Sequence, residues 1–233
     1  GVPSDDPALV GAPCFVGHLH GVDCFDAAYF GVAHAEAAAM DPQQRLLLEC
    51  GAALVGHSPL TSARATSVAV GITHSDFALH VARRADASSV YAATGAAPSV
   101  ASGRLAFALD LRGACLTVDT ACSSALVAVQ AATSAIALAG ADALACAVNA
   151  VLTPYTFLVY AGAGMLSRDG RCKTLDARAN GYVRAEGVGG MSLVGGALHS
   201  TLSVTVVVRQ DGMSASLTAP NGAAQAELLR DAG

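Results

Sequence analysis

Thr117-Val118-Asp119-Thr120-Ala121-Cys122-Ser123-Ser124-Ala125-Leu126-Val127-Ala128-Val129 is the stretch on which the fold turns. A short β-branched run ends at Asp119, breaks at small residues, and passes into an uncharged segment that reads as a helix to about Ala139. That order of strand, tight turn and helix puts a thiol at a helix N-terminus, where unpaired N–H groups and the helix dipole favour a thiolate. On the residues alone Cys122 fits two roles: a small packed thiol, as Cys146 reads, or a nucleophile for an acyl group. Asp119 and Thr120 fix the strand end, and Ala121 leaves room for a substrate. Ser123 and Ser124 suit a first helical turn, and Ala125 and Ala128 let the helix approach a sheet closely.

Working outward, the elements alternate. Upstream, residues Gly1 to Gly21 are loop-like, Asp26 to Phe30 is a short element, and a helix runs from about Met40 through Leu54. Asp41-Pro42 supplies its N-cap and a proline at the first helical position. Leu46, Leu47 and Leu48 form its apolar side, with Gln43, Gln44, Arg45 and Glu49 facing elsewhere. Ser67 to Ile72 is a strand, Tyr91 to Ala108 a turn and then a helix containing Arg104, and Leu109 to Gly113 a loop. Downstream, Ala143 to Leu152 is an apolar strand, Gly162 to Lys173 a loop, and Gly187 to Val194 and Ser203 to Val208 are strands. Apolar strands such as Ala143 to Val148 are buried on both faces, so a layered α/β fold with helices on both sides follows.

Composition bounds the function. The 233 residues are 53% hydrophobic and 13% charged, so much of the chain is buried, against itself or a partner. Aromatics make up 5%, with no tryptophan, and the core is one of closely packed backbones. A net charge of −5 and a single lysine, Lys173, exclude an electrostatic footprint for nucleic acid. Ala121 to Ala141 carries no charge, but it is rich in Ala, Ser and Thr, contains Gln130 and lacks a basic flank. It reads as a buried helix of a soluble protein and not as a membrane span. Gly187 to Val208 is also uncharged, yet its glycines and β-branched residues read as strands. No signal peptide precedes the first element, and the lack of an initiator Met points to a piece of something longer.

Other candidate chemistry is thin. Cys14, Cys24, Cys50, Cys115, Cys122, Cys146 and Cys172 form no C-x-x-C pair, as in a reducing compartment with mostly inert thiols. His18-x-His20 and His74-x5-His80 lack acidic or thiol partners at metal-ligand spacing. Asp169, Arg171 and Lys173 read as a salt-bridge and hydrogen-bond network in a loop. Gly162-x-Gly164 meets Ser167 where a dinucleotide fingerprint needs glycine, and no G-x-S-x-G elbow occurs.

Asp119-Thr120-Ala121-Cys122-Ser123-Ser124 resembles the active-site motif of β-ketoacyl synthases of type I polyketide and fatty-acid synthases. Further segments are similar to that family in the family's own order. They include Phe25 to Gly31, Met40 to Glu49, Ser102-Gly103-Arg104, Ala163 to Ser167, Asp169 to Thr174, Gly181 to Arg184 and Leu217 to Gly222. The resemblance implies a thiolase-like fold of helix, sheet, helix, sheet and helix, only partly covered here and usually dimeric. Residues 1-165 would be the N-terminal half with the nucleophile elbow, and 166-233 the incomplete start of the C-terminal half. It implies Cys122 as the catalytic nucleophile, with no bound cofactor and no metal. The acyl and malonyl thioester substrates would be carried on the phosphopantetheine arm of an acyl carrier protein, with no nucleic-acid partner.

The same resemblance implies a ping-pong decarboxylative condensation assisted by histidines of an H-G-T-G-T and an N-x-G-H motif. Neither motif occurs in the 233 residues; the first is expected beyond Gly233, and the family's opening strand before Gly1. Smaller departures are Cys146-Ala147, where the family favours two glycines, Ala185 for a glycine before Glu186, and a shortened stretch around Gly195 to Thr205. Two other readings remain: an acyl-transferring relative that uses Cys122 without condensation, and an inactive scaffold pairing with a complete synthase. A cytoplasmic setting is the default.

Overall fold

The strand signals converge on one four-stranded sheet. The computed structural model describes residues 15–73, 75–82, 90–195, 204–216 and 218–233. The elements before the Cys122 turn are β1 (Val16–Gly17), α1 (His34–Ala39), α2 (Pro42–His57), β2 (Ser67–Gly71), α3 (Asp76–Ala82), α4 (Ala92–Ala96), α5 (Ala101–Ala108) and β3 (Cys115–Val118). After it come α6 (Ser124–Ala139), β4 (Ala143–Asn149), α7 (Tyr155–Gly162), β5 (Arg184–Ala185), β6 (Gly187–Leu193) and α8 (Gly222–Ala232). The sheet order is β3-β2-β4-β6, with β2 parallel to both neighbours and β6 antiparallel to β4. β1 and β5 form a separate parallel pair.

Alternation along the central strands sorts large residues from small. Val68, Val70, Leu144, Cys146 and Val148 join the core cluster of Met40, Leu47, Leu48 and Leu105, from the α2 and α5 side. Ala69, Ala143 and Ala145 face the other way, against Ala128, Val129 and Ala132 of α6. Alanine against alanine lets α6 lie close to the sheet, while the opposite side holds the bulky aliphatic core. The connection β2 to β3 places α5 on one face, and the reversed connection β3 to β4 places α6 on the other, as right-handed crossovers require. The result is three layers: helix, sheet, helix.

α2 begins where its sequence says it should. Asp41 accepts a hydrogen bond from the Gln43 backbone N–H at 2.8 Å, and Pro42 occupies the first turn. Leu46, Leu47 and Leu48 are buried as expected, but Gln43 and Gln44 are buried too, at 2% exposure each. The expectation that they face away is corrected, because both amides bond to groups of other segments. Gln43 Oε1 accepts from the Ala150 N–H at 3.1 Å. Gln44 Nε2 donates to the Gly95 carbonyl at 3.0 Å, and its Oε1 accepts from Arg104 Nε at 2.7 Å. Arg104 in turn pairs with Glu36 at 2.5 Å.

Three further expectations need correction. The strand expected to reach Leu152 stops at Asn149. The backbone N–H groups beyond it go to side chains: Val151 to Glu186 Oε1 at 3.0 Å, and Leu152 and Thr153 to Asp76 Oδ2, each at 3.1 Å. Residues 204–208 of the expected strand Ser203 to Val208 form no ladder, though Val206 packs on the α6 side of the core. Residue 203 itself lies outside the described residues, as do residues 1–14 of the expected leading loop. Finally, α6 is not buried all round: only 22% of its apolar stretch is covered, and Leu126 and Leu138 are exposed. One sheet covers one face of a helix, and among the described residues nothing covers its second apolar side. By length and composition alone it is also the one helix there that would suffice to cross a membrane.

The division expected at 165/166 falls between β4 and β6, which share one ladder from Ala143↔Leu193 to Asn149↔Gly187.

The backbones of sheet and helix come close at Gly71, where a Cβ would lie 2.6 Å from the Ser124 carbonyl oxygen. Gly71→Ala is expected to lower stability by about 1–3 kcal/mol. Gly56→Ala, where a Cβ meets open space within α2, is expected to raise it by roughly 0.4–1 kcal/mol. Thermal or denaturant unfolding of the two variants against the parent chain measures both.

Candidate active site

The turn after β3 is built by five residues that hydrogen-bond to one another. Asp119 Oδ1 accepts from the Ala121 N–H at 3.0 Å. Ser124, 4% exposed, accepts from the Thr120 N–H at 2.9 Å and donates to the Ala121 carbonyl at 2.7 Å. Ser123 Oγ lies 2.9 Å from the Thr120 carbonyl and 2.8 Å from Thr120 Oγ1. Together these bonds hold Ala121 at φ +54°, a left-handed conformation that costs a non-glycine residue roughly 1–2 kcal/mol. Reversing the chain there ends β3 and starts a single 3-10 turn, Ala121–Ser123, that leads into α6.

Cys122 is in the middle of that turn and is exposed, so the reading of a packed thiol at this position does not hold. Cys146 is buried, as that reading supposed for it. The position lies past the carboxyl end of a parallel strand, where α/β sheets present their reactive groups. Behind it, Thr117 of β3 is tied to α5, its Oγ1 donating to Ser102 Oγ at 2.9 Å. The strand that carries the thiol is therefore anchored from below and the helix from Gly71.

An aromatic and cationic group that the sequence reading did not assign is placed near Cys122. The Arg184 guanidinium lies 4.9 Å from the Tyr160 ring centroid and 5.7 Å from that of Phe157. Its Nε is buried with no acceptor among the described residues. Arg184 also hydrogen-bonds the Tyr182 hydroxyl. Burial pushes the Tyr182 phenol above its ordinary range, Arg184 opposes this, and the neighbouring Tyr160 and Cys122 add to the rise. Tyr182 is thus within electrostatic reach of the thiol. The signal available in sequence was the spacing of Phe157 and Tyr160, one helical turn apart on α7.

Buried carboxylates fix the loops around the strand ends. Asp76 holds the segment after β4 through the two N–H bonds already described and accepts from Thr156 Oγ1 at 3.2 Å. Glu186 holds β1 through the Leu19 N–H at 2.9 Å, with His18 Nδ1 at 3.4 Å. Asp41 is pushed upward in pKa by burial, partly offset by the Gln43 N–H and the Ser75 hydroxyl. In the loop of residues 162–173, Asp169 pairs with Lys173 and with Ser167 Oγ, while Arg171 contributes its backbone N–H to Ser167 Oγ at 3.3 Å. The expected network is present, with Lys173 and not Arg171 as the cation. His18 stands against Glu186, no metal-ligand group of His, Cys, Asp or Glu assembles among the described residues, and His74 and His199 lie outside them.

Comparison with known proteins matches residues 5–196 to the family model of the β-ketoacyl synthase N-terminal domain. The chain is 40% identical over 228 residues to a phenolphthiocerol/phthiocerol polyketide synthase of Mycobacterium tuberculosis, covering 93% of this chain and 15% of that protein. It is 42% identical to a component of the pikromycin polyketide synthase of Streptomyces venezuelae, of which it spans 6%. A ketosynthase from module 6 of the bacillaene synthase of Bacillus subtilis superposes with a TM-score of 0.76 at 30% identity, covering 93% of this chain and 39% of that one. The chain carries part of the layered thiolase-like α/β fold of these ketosynthases.

Ser124→Ala is expected to cost roughly 1–3 kcal/mol, because it strips an acceptor from the Thr120 N–H and a donor from the Ala121 carbonyl. Ser123→Ala, at an exposed position, is expected to stay within about 0.5 kcal/mol; chemical denaturation compares the two. Lys173, then Ser167, hold the Asp169 carboxyl down at about 2, from the ordinary 3.8. A depressed carboxylate stabilises the fold above its unfolded pKa, so this contribution is full above pH 3.8 and fades as the pH falls through about 2. NMR titration of the Asp169 side chain should show that midpoint, and Lys173→Met should return it toward the ordinary value.

Proposed function

Since the chain belongs to the β-ketoacyl synthase family, we propose that Cys122 is the residue that takes up the acyl chain in a ketosynthase of polyketide biosynthesis. The observation that carries this is an exposed thiol on a left-handed turn between a parallel strand and a helix. Cys122 Sγ attacks the carbonyl carbon of an acyl thioester, the carrier's phosphopantetheine thiolate leaves, and an acyl-cysteine remains. The backbone N–H of Cys122 supplies one donor to the oxyanion formed on the way. Gly71 and Ser124 keep that group in place while the carbonyl changes geometry.

Condensation comes second. A malonyl-type extender on an acyl carrier protein loses carbon dioxide, its carbanion attacks the acyl-cysteine carbonyl, and the Cys122 thiolate is released. That step calls on histidines of the two motifs missing from these 233 residues. The chain spans 15% or less of the curated relatives described and about two fifths of the solved ketosynthase, so the activity assigned is that of a larger assembly. In that assembly we place the end of the first half after β6, the last strand of this sheet in chain order among the described residues, and expect a homodimer. The polyketide setting is supported by the names of the relatives.

Incubation of the chain with a short acyl thioester is expected to add one acyl group at Cys122, read by intact mass and peptide mapping, with Cys122→Ser losing most of it. With a malonyl thioester added, no β-ketoacyl product should form from this chain alone. A product formed unaided would overturn the division of labour, and absence of any adduct at Cys122 would favour an inactive scaffold.

A further inference from the structure

α2 lies across β4 and β6 on the face of the sheet opposite α6. Cys146 of β4 belongs to that face, in one core cluster with Leu47 and Leu144. Its cross-strand partner on β6 is Gly190, and the missing side chain there makes room for the sulfur. A Cβ at position 190 would lie 2.9 Å from Cys146 Sγ and 2.8 Å from Leu54 Cδ1. Into the same space α2 brings Cys50, and the two thiols are hydrogen-bonded to each other. Cys146 is 2% exposed, whereas Cys50 is half-buried and can be reached from outside.

We propose that Cys50 and Cys146 are a reversible redox pair, which a small-molecule disulfide of the glutathione type converts to an intramolecular disulfide joining α2 to β4. Neither residue is used in the acyl chemistry assigned to Cys122, so the pair is a separate modification site. Two hydrogen-bonded thiols must close to the ~2.05 Å of a disulfide. The half-buried Cys50 is the one placed to move.

The asymmetry of the pair orders the steps. The hydrogen bond from Cys146 holds the Cys50 thiol down at about 7, against the opposing effect of burial, while the same bond and burial push Cys146 up. Cys50 is the more readily ionised of the two at neutral pH and the first nucleophile. Its sulfur attacks one sulfur of the small disulfide; a Cys50 mixed disulfide forms and one thiolate leaves. With the Cys50 charge gone, Cys146 no longer holds its proton against a neighbouring anion. The departing thiolate accepts that proton, and Cys146 displaces the second small thiol from Cys50. Overall, two protein thiols are oxidised and one small disulfide is reduced to two thiols. The exposed Cys24, Cys115 and Cys172 are expected to stop at the mixed disulfide.

The test is to incubate the purified protein with oxidised glutathione at neutral pH, block free thiols with iodoacetamide, and map peptides with fragmentation. The expected result is a Cys50–Cys146 cross-link, loss of carbamidomethylation at both residues, and recovery of both after dithiothreitol. Cys146→Ala should convert the cross-link into a lasting glutathione adduct on Cys50, and Cys50→Ser should leave Cys146 unmodified. A lasting glutathione adduct on Cys50 in the parent protein would overturn the proposal. So would a Cys50 that stays free while the exposed cysteines are modified. The parent-protein mapping decides the matter even if a variant fails to fold.

Discussion

The contact between the end of β2 and the first turn of α6 is the constraint from which the rest of the molecule follows. Gly71 admits the Ser124 carbonyl into space that any side chain would fill, and alanines on both surfaces let the helix continue that close approach. With the helix start fixed in this way, a short link from β3 has to reverse the chain at once. The reversal is made by Ala121 in a conformation unfavourable to it, held by Ser124 and Asp119. Backbone strain of this kind persists only where surrounding bonds over-determine it. The exposed thiol is what that arrangement presents.

Much of the central layer was legible in the residues. β2, β3, β4 and β6 fall where apolar or glycine-rich runs are bounded by turn residues, and α2 starts at its Asp-Pro signal. Short or weakly patterned elements were not legible. α1 is largely alanine, α3 is a single short piece after Ser75, and α7 reads as one apolar run with no polar face. Residues 204–208 have the composition of a strand but form no ladder among the described residues, and β propensity describes fit to a neighbour more than a backbone preference. The two buried glutamines were misread for a related reason. Periodicity says which positions face inward only when polar side chains have no distant carbonyl to satisfy, and Gln44 has three.

The site was legible in one residue and opaque in its surroundings. The turn that exposes Cys122 could be read from local order, because strand, turn and thiol are contiguous. Tyr182, Arg184 and Tyr160 come together from separate elements, and their contact depends on how α7 and the segment before β5 pack. Cys50 and Cys146 were read as inert because nothing in the spacing joins a helix residue to one on a distant strand. The helix-on-sheet crossing brings them together, and the glycine opposite gives the sulfur its space.

The small parallel pair of β1 and β5 has a consequence for how such a chain is made. Its two strands are far apart in sequence, and the bond just beyond them, Leu19 N–H to Glu186, spans a separation of 167 residues. A growing chain could assemble β2, β3, β4 and the helices between them while β1 still had no strand to pair with. β1 would wait, unpaired and adhesive, until β5 left the ribosome. Long-range closure of this kind is slow and exposes apolar surface to other chains in the meantime.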